Sequence, residues 1–139
     1  MPKSSIANWR ASGGAFGPIG ATHSGNGTAS CVAQDGMIIC DFTDLGSTET
    51  VTYETPFKFT VIDIFMVVGN GENVTSKTIT VKNGSTALSS TMSMTNDKAR
   101  VPTATLDEDQ AVFNVGDDDL VLLSSAHNDG GGTIYLVYR

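Results

Sequence analysis

The hydrophobic pattern of this chain is typical of β-strands, because short runs rich in Val, Ile, Thr and Phe are separated by Gly, Asn and Asp along most of its 139 residues. The longest run extends from Lys58 to Val68. Successive side chains on a strand point to opposite sides. One predicted face therefore holds Thr60, Ile62, Ile64, Met66 and Val68, and the other holds Phe59, Val61, Asp63, Phe65 and Val67.

Both faces of this predicted strand are apolar, so each must be covered by another layer. One layer is the core of the domain, and the second is another part of the same sandwich or a neighbouring subunit. Leu120 to Leu123 and Ile134 to Tyr138 also lack a polar side. We expect the first and last of these segments to lie near each other and to supply the outer faces of a cyclic homo-oligomer, a homotrimer. The predicted interface residues are Phe59, Val61, Phe65, Val67, Tyr135 and Val137.

The predicted fold is all-β, an antiparallel β-sandwich over residues 28–139, since no amphipathic helix of useful length is present. The first 27 residues differ, because they hold six glycines, few aliphatic residues and no alternation. This composition predicts a flexible N-terminal arm. Trp9, Phe16 and Ile19 are spaced along it as anchors for grooves on a partner. A frayed terminus is the equally weighted alternative.

The two cysteines are predicted to lie opposite each other in the first hairpin. Asp35-Gly36 is the preferred two-residue type I′ loop, and counting outward from it pairs Cys31 with Cys40. This is a non-hydrogen-bonded pair, in which the α-carbons are about 4.5 Å apart, so a disulfide can close without large strain. We predict that the pair is reduced in cytoplasm and bridges in an oxidising medium. Two small buried hydrophobic residues are the alternative interpretation.

A second hairpin is predicted further along the chain. Lys77 to Lys82 reads as a strand with Ile79 and Val81 inward. Asn83-Gly84 is again a type I′ signal. With this loop, Ile79 would face Leu88.

The charge and the termini limit the possible partners. The net charge is -7, and the eight Lys and Arg residues are scattered rather than clustered, so nucleic acid is not an expected partner. The N-terminal sequence lacks the apolar run of a signal peptide, and no stretch approaches the roughly 20 apolar residues of a membrane span. We therefore expect no membrane contact, and synthesis and retention in a cytoplasm.

The inventory of reactive side chains predicts neither catalysis nor a cofactor. The two histidines, His23 and His127, lie in no spacing that pairs either with a nucleophile or a metal ligand. The acidic runs Asp107 to Asp109 and Asp117 to Asp119, with Asp129, are the one place suited to Ca²⁺. Solvated turn residues that block edge pairing are the favoured interpretation of these runs, so we predict no metal site.

Three blocks of the sequence resemble the jelly-roll decoration, or cement, proteins of tailed bacteriophage capsids. The blocks are Phe59 to Val68 with its internal Asp63, Lys77 to Leu88 around Asn83-Gly84, and Thr105 to Tyr138, which contains Val115-Gly116-Asp117 followed by Leu120. The resemblance covers roughly residues 57 to 139 and is one of pattern. It implies a jelly-roll-like β-sandwich without enzymatic activity that binds the major capsid protein on the exterior of the virion. It also implies trimers that stiffen the shell. The arm lies outside the resemblance, so the prediction that Trp9, Phe16 and Ile19 anchor it to the capsid rests on composition alone.

Two other function classes were weighed from the sequence. A receptor-binding or carbohydrate-binding head of a phage tail fibre or spike is the alternative, because jelly-roll sandwiches often present aromatic side chains to sugars. Only 7% of the residues are aromatic, which speaks against it. An enzyme of the cupin type needs a cluster of His and carboxylate ligands, which two isolated histidines do not supply.

Overall fold

The computed structural model describes residues 22–23, 28–46, 50–54, 57–125 and 129–139. These residues form two facing β-sheets in which every strand pair is antiparallel. The first sheet contains, in spatial order, β1 (Thr22–His23), β4 (Thr50–Glu54), β11 (Asp119–Ser125), β6 (Thr78–Asn83) and β7 (Thr86–Ala87), with β8 (Met92–Ser93) also paired to β6. The second sheet contains β10 (Val112–Phe113), β5 (Phe59–Val68), β12 (Gly131–Tyr138), β3 (Met37–Thr43) and β2 (Thr28–Gln34), with β9 (Arg100–Pro102) also paired to β5.

The connections between the sheets are those of a jelly roll. The chain passes from β3 to β4, β5 and β6 by changing sheet at each step, and it changes sheet again between β11 and β12. The jelly roll is formed by four strands of each six-stranded sheet, in the orders β4-β11-β6-β7 and β3-β12-β5-β10, and the two sheets pack face to face. The predicted all-β antiparallel sandwich is confirmed. A single 3-10 turn, Glu108–Gln110, is the one helical element of the described residues.

The core lies between the two sheets and is made by alternate residues of the long strands. Strand β11 buries Leu120 and Leu122, and β12 buries Ile134 and Leu136. At one end of the core the rings of Phe59 and Phe113 stack with centroids 4.8 Å apart. Each fully buried side chain of this size contributes about 1.5–3 kcal/mol to folding. The inner faces therefore account for the stability of the sandwich.

The first hairpin has the predicted register but a different turn. Gln34 pairs with Met37, and Cys31 pairs with Cys40. Of the two loop residues only Gly36 has a positive φ, 80°. A type I′ turn requires positive φ at both positions, so the predicted turn type is wrong although the pairing it implied is confirmed.

In the second hairpin the loop lies one residue later than predicted, so the pairing of the two strands shifts by two residues. Asn83 pairs with Thr86, so the loop is Gly84-Ser85 rather than Asn83-Gly84, and Val81 rather than Ile79 bonds Leu88. Asn83 stays in the strand because its side-chain amide donates to two carbonyl oxygens of the β10 region, each at 3.1 Å. Gly84 has a φ of 58°, and the first loop position is where a type II′ turn requires a positive φ.

Strand β5 contains a β-bulge that changes the predicted assignment of its faces. Val137 pairs with Asp63, and Tyr138 pairs with Val61, so Ile62 has no opposite residue. The extra residue reverses the alternation. Phe59 and Val61 before the bulge therefore point inward together with Ile64, Met66 and Val68 after it.

Candidate interaction face

The outer surface of the second sheet is apolar, although no other part of the described chain forms a layer over it. Its central row crosses five strands in register. We call this surface the aromatic face and define it by Val32, Met37, Ile39, Phe65, Val67, Pro102, Tyr135 and Val137. Pro102 is exposed, and the other seven residues are half-buried.

Two aromatic rings and a guanidinium group form a stack at the middle of the aromatic face. The rings of Phe65 and Tyr135, on the neighbouring strands β5 and β12, lie 4.9 Å apart at an angle of 15°. The guanidinium carbon of Arg100 lies 4.2 Å from the centre of the Phe65 ring, a cation–π contact. The ring of Phe65 is therefore covered on both sides, and the stack presents ring edges to solvent.

Polar side chains flank the apolar row. Asp41 on β3 and Arg100 on β9 are both exposed and lie in one cross-strand row, with Thr133 and Val67 between them and Ser30 of β2 beyond Asp41. The hydroxyl of Thr133 donates to Oδ1 of Asp41 at 2.6 Å. The face thus combines an apolar centre with a polar rim of both charge signs, which is the composition of a protein–protein contact surface.

The outer surface of the first sheet has a different composition. Threonines on β4 and β6 lie on either side of the half-buried Val121 and Leu123 of β11. The hydroxyls of Thr78 and Ser125 are 2.5 Å apart. Such a surface is an ordinary solvated side of an antiparallel sheet. We call it the threonine face and define it by Thr50, Thr52, Thr78, Thr80, Lys82, Val121, Leu123 and Ser125.

The structure divides the six residues that the sequence assigned to an oligomer interface. Phe59 and Val61 are each 2% exposed and belong to the core of the sandwich, so their placement on an outer face was wrong, and the bulge at Ile62 is the physical reason. The other four lie together on paired strands of the aromatic face: Phe65, Val67, Tyr135 and Val137. The predicted proximity of Lys58 to Val68 and Thr133 to Tyr138 is confirmed.

The cysteine pair is buried in the core beside a tyrosine. Cys31 and Cys40 are free thiols with no exposed surface. Burial, and then the hydrogen bond and charge of Cys31, raise the pKa of Cys40 well above its usual value. The hydroxyl of Tyr53, on β4, is buried without a hydrogen-bond partner among the described residues, and burial together with the nearby thiols raises its pKa. The disulfide stays a prediction, and the geometry it requires, a directly opposed pair, is present.

A buried lysine holds the loops at one end of the sandwich. Lys77, fully buried before β6, donates from Nζ to the carbonyl oxygen of Leu45 at 2.6 Å and to that of Asp129 at 2.8 Å. The hydroxyl of Ser124 donates to the same Leu45 oxygen at 3.2 Å. A buried ammonium is tolerated only with such partners. Lys77 therefore ties the β3–β4 loop to the β11–β12 loop.

The described residues contain no arrangement with evident catalytic chemistry. A cavity of about 400 Å³ lies beside the β5 bulge. The described residues that line it include Ile62, Leu106, Glu108 and Arg139 but no histidine or cysteine. Within the described ranges no three His, Cys, Asp or Glu residues are grouped so as to hold a metal ion. His127 and the candidate anchors Trp9, Phe16 and Ile19 lie outside the described residues, whereas His23 lies in β1.

Sequence reasoning missed two parts of this picture. It did not assign Val32, Met37 or Ile39 to the outer face, although apolar residues at every position from Met37 to Cys40 already indicate a strand buried on both sides. It also did not foresee the burial of Lys77, because that depends on the loop carbonyls of Leu45 and Asp129, which are far away in sequence.

Comparisons with known proteins do not assign the chain to a family. No family model matches the chain. No curated protein matches it either. Among solved structures, it is similar to the family 11 carbohydrate-binding module of the cellulosomal cellulase Lic26A-Cel5E of Clostridium thermocellum, with 14% identity, 86% of this chain and 84% of that chain covered, and a TM-score of 0.35. The described residues include no helix with the length and apolar character needed to cross a membrane.

Proposed function

We propose that this chain is a non-enzymatic structural protein whose copies assemble through the aromatic face and bind the outer surface of a tailed bacteriophage capsid. The observation that carries the assembly step is an apolar surface across five strands of the second sheet, with no layer of the described chain over it. A contiguous apolar surface that no further layer covers is typical of an interaction site. The capsid as the target rests on the sequence resemblance.

The orientation of the rings favours a protein partner over a sugar. Sugars stack on open ring faces, whereas Phe65 is covered by Tyr135 on one side and by Arg100 on the other. The second side of Tyr135 is directed towards β3, where Ile39 is its opposite residue. A surface of ring edges and branched aliphatic side chains packs against another protein surface of the same kind. The carbohydrate-binding alternative therefore lacks its main contact on this face.

Co-sedimentation with undecorated capsids of the parent phage tests the proposed function. We expect saturable pelleting of the full chain. A variant without residues 1–27 distinguishes anchoring by the arm, which the sequence assigned to Trp9, Phe16 and Ile19, from anchoring by the sandwich. The absence of pelleting with either form, together with specific signals on a glycan array, would contradict the proposal and support the tail-fibre alternative.

A further inference from the structure

Two charged residues on the outer surface of the second sheet, Asp41 and Arg100, are placed so that each can face the other in a second copy, whereas a third, Asp63, lies opposite Val137 at one end of that surface. One cross-strand row runs from Asp41 on β3 through Thr133 on β12 and Val67 on β5 to Arg100 on β9. Ser30 on β2 lies beyond Asp41 in the same row. The midpoint between the acidic Asp41 and the basic Arg100 lies between β12 and β5, the strands that carry the stacked rings of Tyr135 and Phe65.

We infer that a second copy of this chain docks face to face on the aromatic face about a twofold axis parallel to the strands. An axis above the midline between β12 and β5 exchanges these two strands and also exchanges β3 with β9. Asp41 then lies opposite the partner's Arg100, and Arg100 lies opposite the partner's Asp41. The same operation places Tyr135 over the partner's Phe65. Each contact occurs twice, as in any isologous interface.

Both charged groups have donor or acceptor capacity left for such a pair. Thr133 occupies Oδ1 of Asp41 at 2.6 Å, which leaves Oδ2 available. Arg100 uses the flat side of its guanidinium on Phe65, so the N–H groups at its edge remain directed to the surroundings. Neither side chain has an ion-pair partner among the described residues.

The area of overlap is that of a small interface. The axis brings four strands of each copy over the partner, β3, β12, β5 and β9, and with a spacing of about 4.8 Å and a length of about seven residues they give a surface of roughly 19 Å by 23 Å. Because β9 is only three residues long, two such surfaces bury at most about 900 Å² in total, which is the size of a weak or transient contact. Aligned packing of two sheets, within about 30°, keeps the central rows of the two copies over each other.

This inference rests on the proposed function, because it takes the aromatic face as the contact between copies. It departs from the trimer that the sequence resemblance implies, since a twofold contact gives a dimer. The complex would have a mass of about 29 kDa, twice the 14.5 kDa of one chain.

Sedimentation equilibrium of charge-reversed variants tests the twofold contact. Asp41→Arg and Arg100→Asp each place like charges opposite each other at two points, so we expect each to weaken self-association at least about tenfold. The double variant Asp41→Arg/Arg100→Asp restores opposite charges only in the twofold arrangement. We expect it to associate within about threefold to tenfold of the wild type, since it loses the Thr133 and Phe65 contacts of the original side chains. Lys82→Asp, on the threonine face, is the matched control and should leave association unchanged.

The outcomes separate this inference from the proposed function. The twofold contact is supported if the wild type forms dimers, both single variants lose this association, and the double variant recovers it. A monomer at all concentrations, a trimer, or a double variant weaker than both single variants would overturn it. If the chain is not a twofold dimer but still pellets with capsids, the twofold contact is wrong and the capsid function is supported. If the chain is a twofold dimer but does not pellet with capsids, the capsid function is wrong and the twofold contact is supported. Thermal unfolding of each variant verifies that the sandwich is intact.

Discussion

The two sheets of this sandwich distribute their polar residues in opposite ways. The first sheet buries Lys77, Ser124 and Tyr53 towards the core or its ends and presents threonines to solvent. The second sheet has an apolar inner face and also a largely apolar outer face, which carries the charges of Asp41, Asp63 and Arg100 around its apolar centre. The first sheet is complete as a solvated layer, whereas the second requires another layer. Substitutions in the first sheet should therefore alter stability, and substitutions on the outer face of the second should alter association.

The largest effect is expected at the buried lysine. Lys77→Met removes the two charge-assisted hydrogen bonds to the carbonyl oxygens of Leu45 and Asp129, and a hydrogen bond to a charged group contributes about 1.5–3 kcal/mol. We expect the free energy of unfolding in urea to fall by about 3 kcal/mol or more. Lys82→Met, on the threonine face, is the control and should change it by less than about 0.5 kcal/mol. Equal, small effects of the two substitutions would show that the buried end of the first sheet does not depend on this ammonium.

The next effect concerns association rather than folding. Ile39→Glu puts a carboxylate at the centre of the aromatic face, and a central interface residue contributes about 2 kcal/mol or more to binding. We expect self-association measured by sedimentation to weaken about 30-fold or more. Leu123→Glu makes the same change on the threonine face and should leave association unaffected. A reversed outcome would mean that the assignment of the two outer faces is wrong.

A smaller effect is expected inside the first sheet at Tyr53. Its hydroxyl is buried and has no hydrogen-bond partner in the described part of the chain, so Tyr53→Phe should raise the free energy of unfolding by about 1 kcal/mol. Tyr138→Phe is the matched control, because that hydroxyl donates to the carbonyl oxygen of Gln34 at 2.7 Å. The control should lower stability by about 1 kcal/mol. A loss of stability in both variants would indicate that the Tyr53 hydroxyl contributes favourably after all.

The smallest effect is a decline of stability in mild alkali. Burial raises the pKa of Cys40 and that of Tyr53, so the folded chain keeps protons that the unfolded chain begins to lose above about pH 8. The unfolded state then binds fewer protons than the native state, and stability falls as pH rises. Between about pH 8 and 9.5 we expect a loss of under about 1 kcal/mol in urea unfolding. Cys40→Ala should reduce this slope, and a stability that rises with pH in the wild type would contradict it.

Local sequence signals located most of the strands and one hairpin register. Asp35-Gly36 fixed the pairing of Cys31 with Cys40 because the loop is short and its flanking strands alternate in burial. The same reasoning failed by two residues in the pairing at Asn83, because the Asn83 side chain is held in β6 by hydrogen bonds that it donates to the carbonyl oxygens of Gln110 and Val112. Contacts between residues distant in sequence decide such cases.

The candidate face shows the same limit. Two-sided apolar strands indicated from the sequence that an outer face would be apolar, and Phe65, Val67, Tyr135 and Val137 do lie on it. The bulge at Ile62 reversed the alternation and placed Phe59 and Val61 in the core. Arg100 joined the face only because β9 pairs with the far edge of β5. Neither the position of a bulge nor the pairing of a three-residue edge strand has a strong local signal.

Hydroxyl-radical footprinting of the wild-type chain across a dilution series tests the central claim most directly, because it reports which outer face becomes covered as copies associate. The account predicts that labelling of Met37, Phe65 and Tyr135 decreases as concentration rises, while labelling of Leu123 on the threonine face stays constant. Protection of Leu123 instead, or unchanged labelling of the aromatic face at every concentration, would contradict the claim that the outer face of the second sheet is the assembly surface.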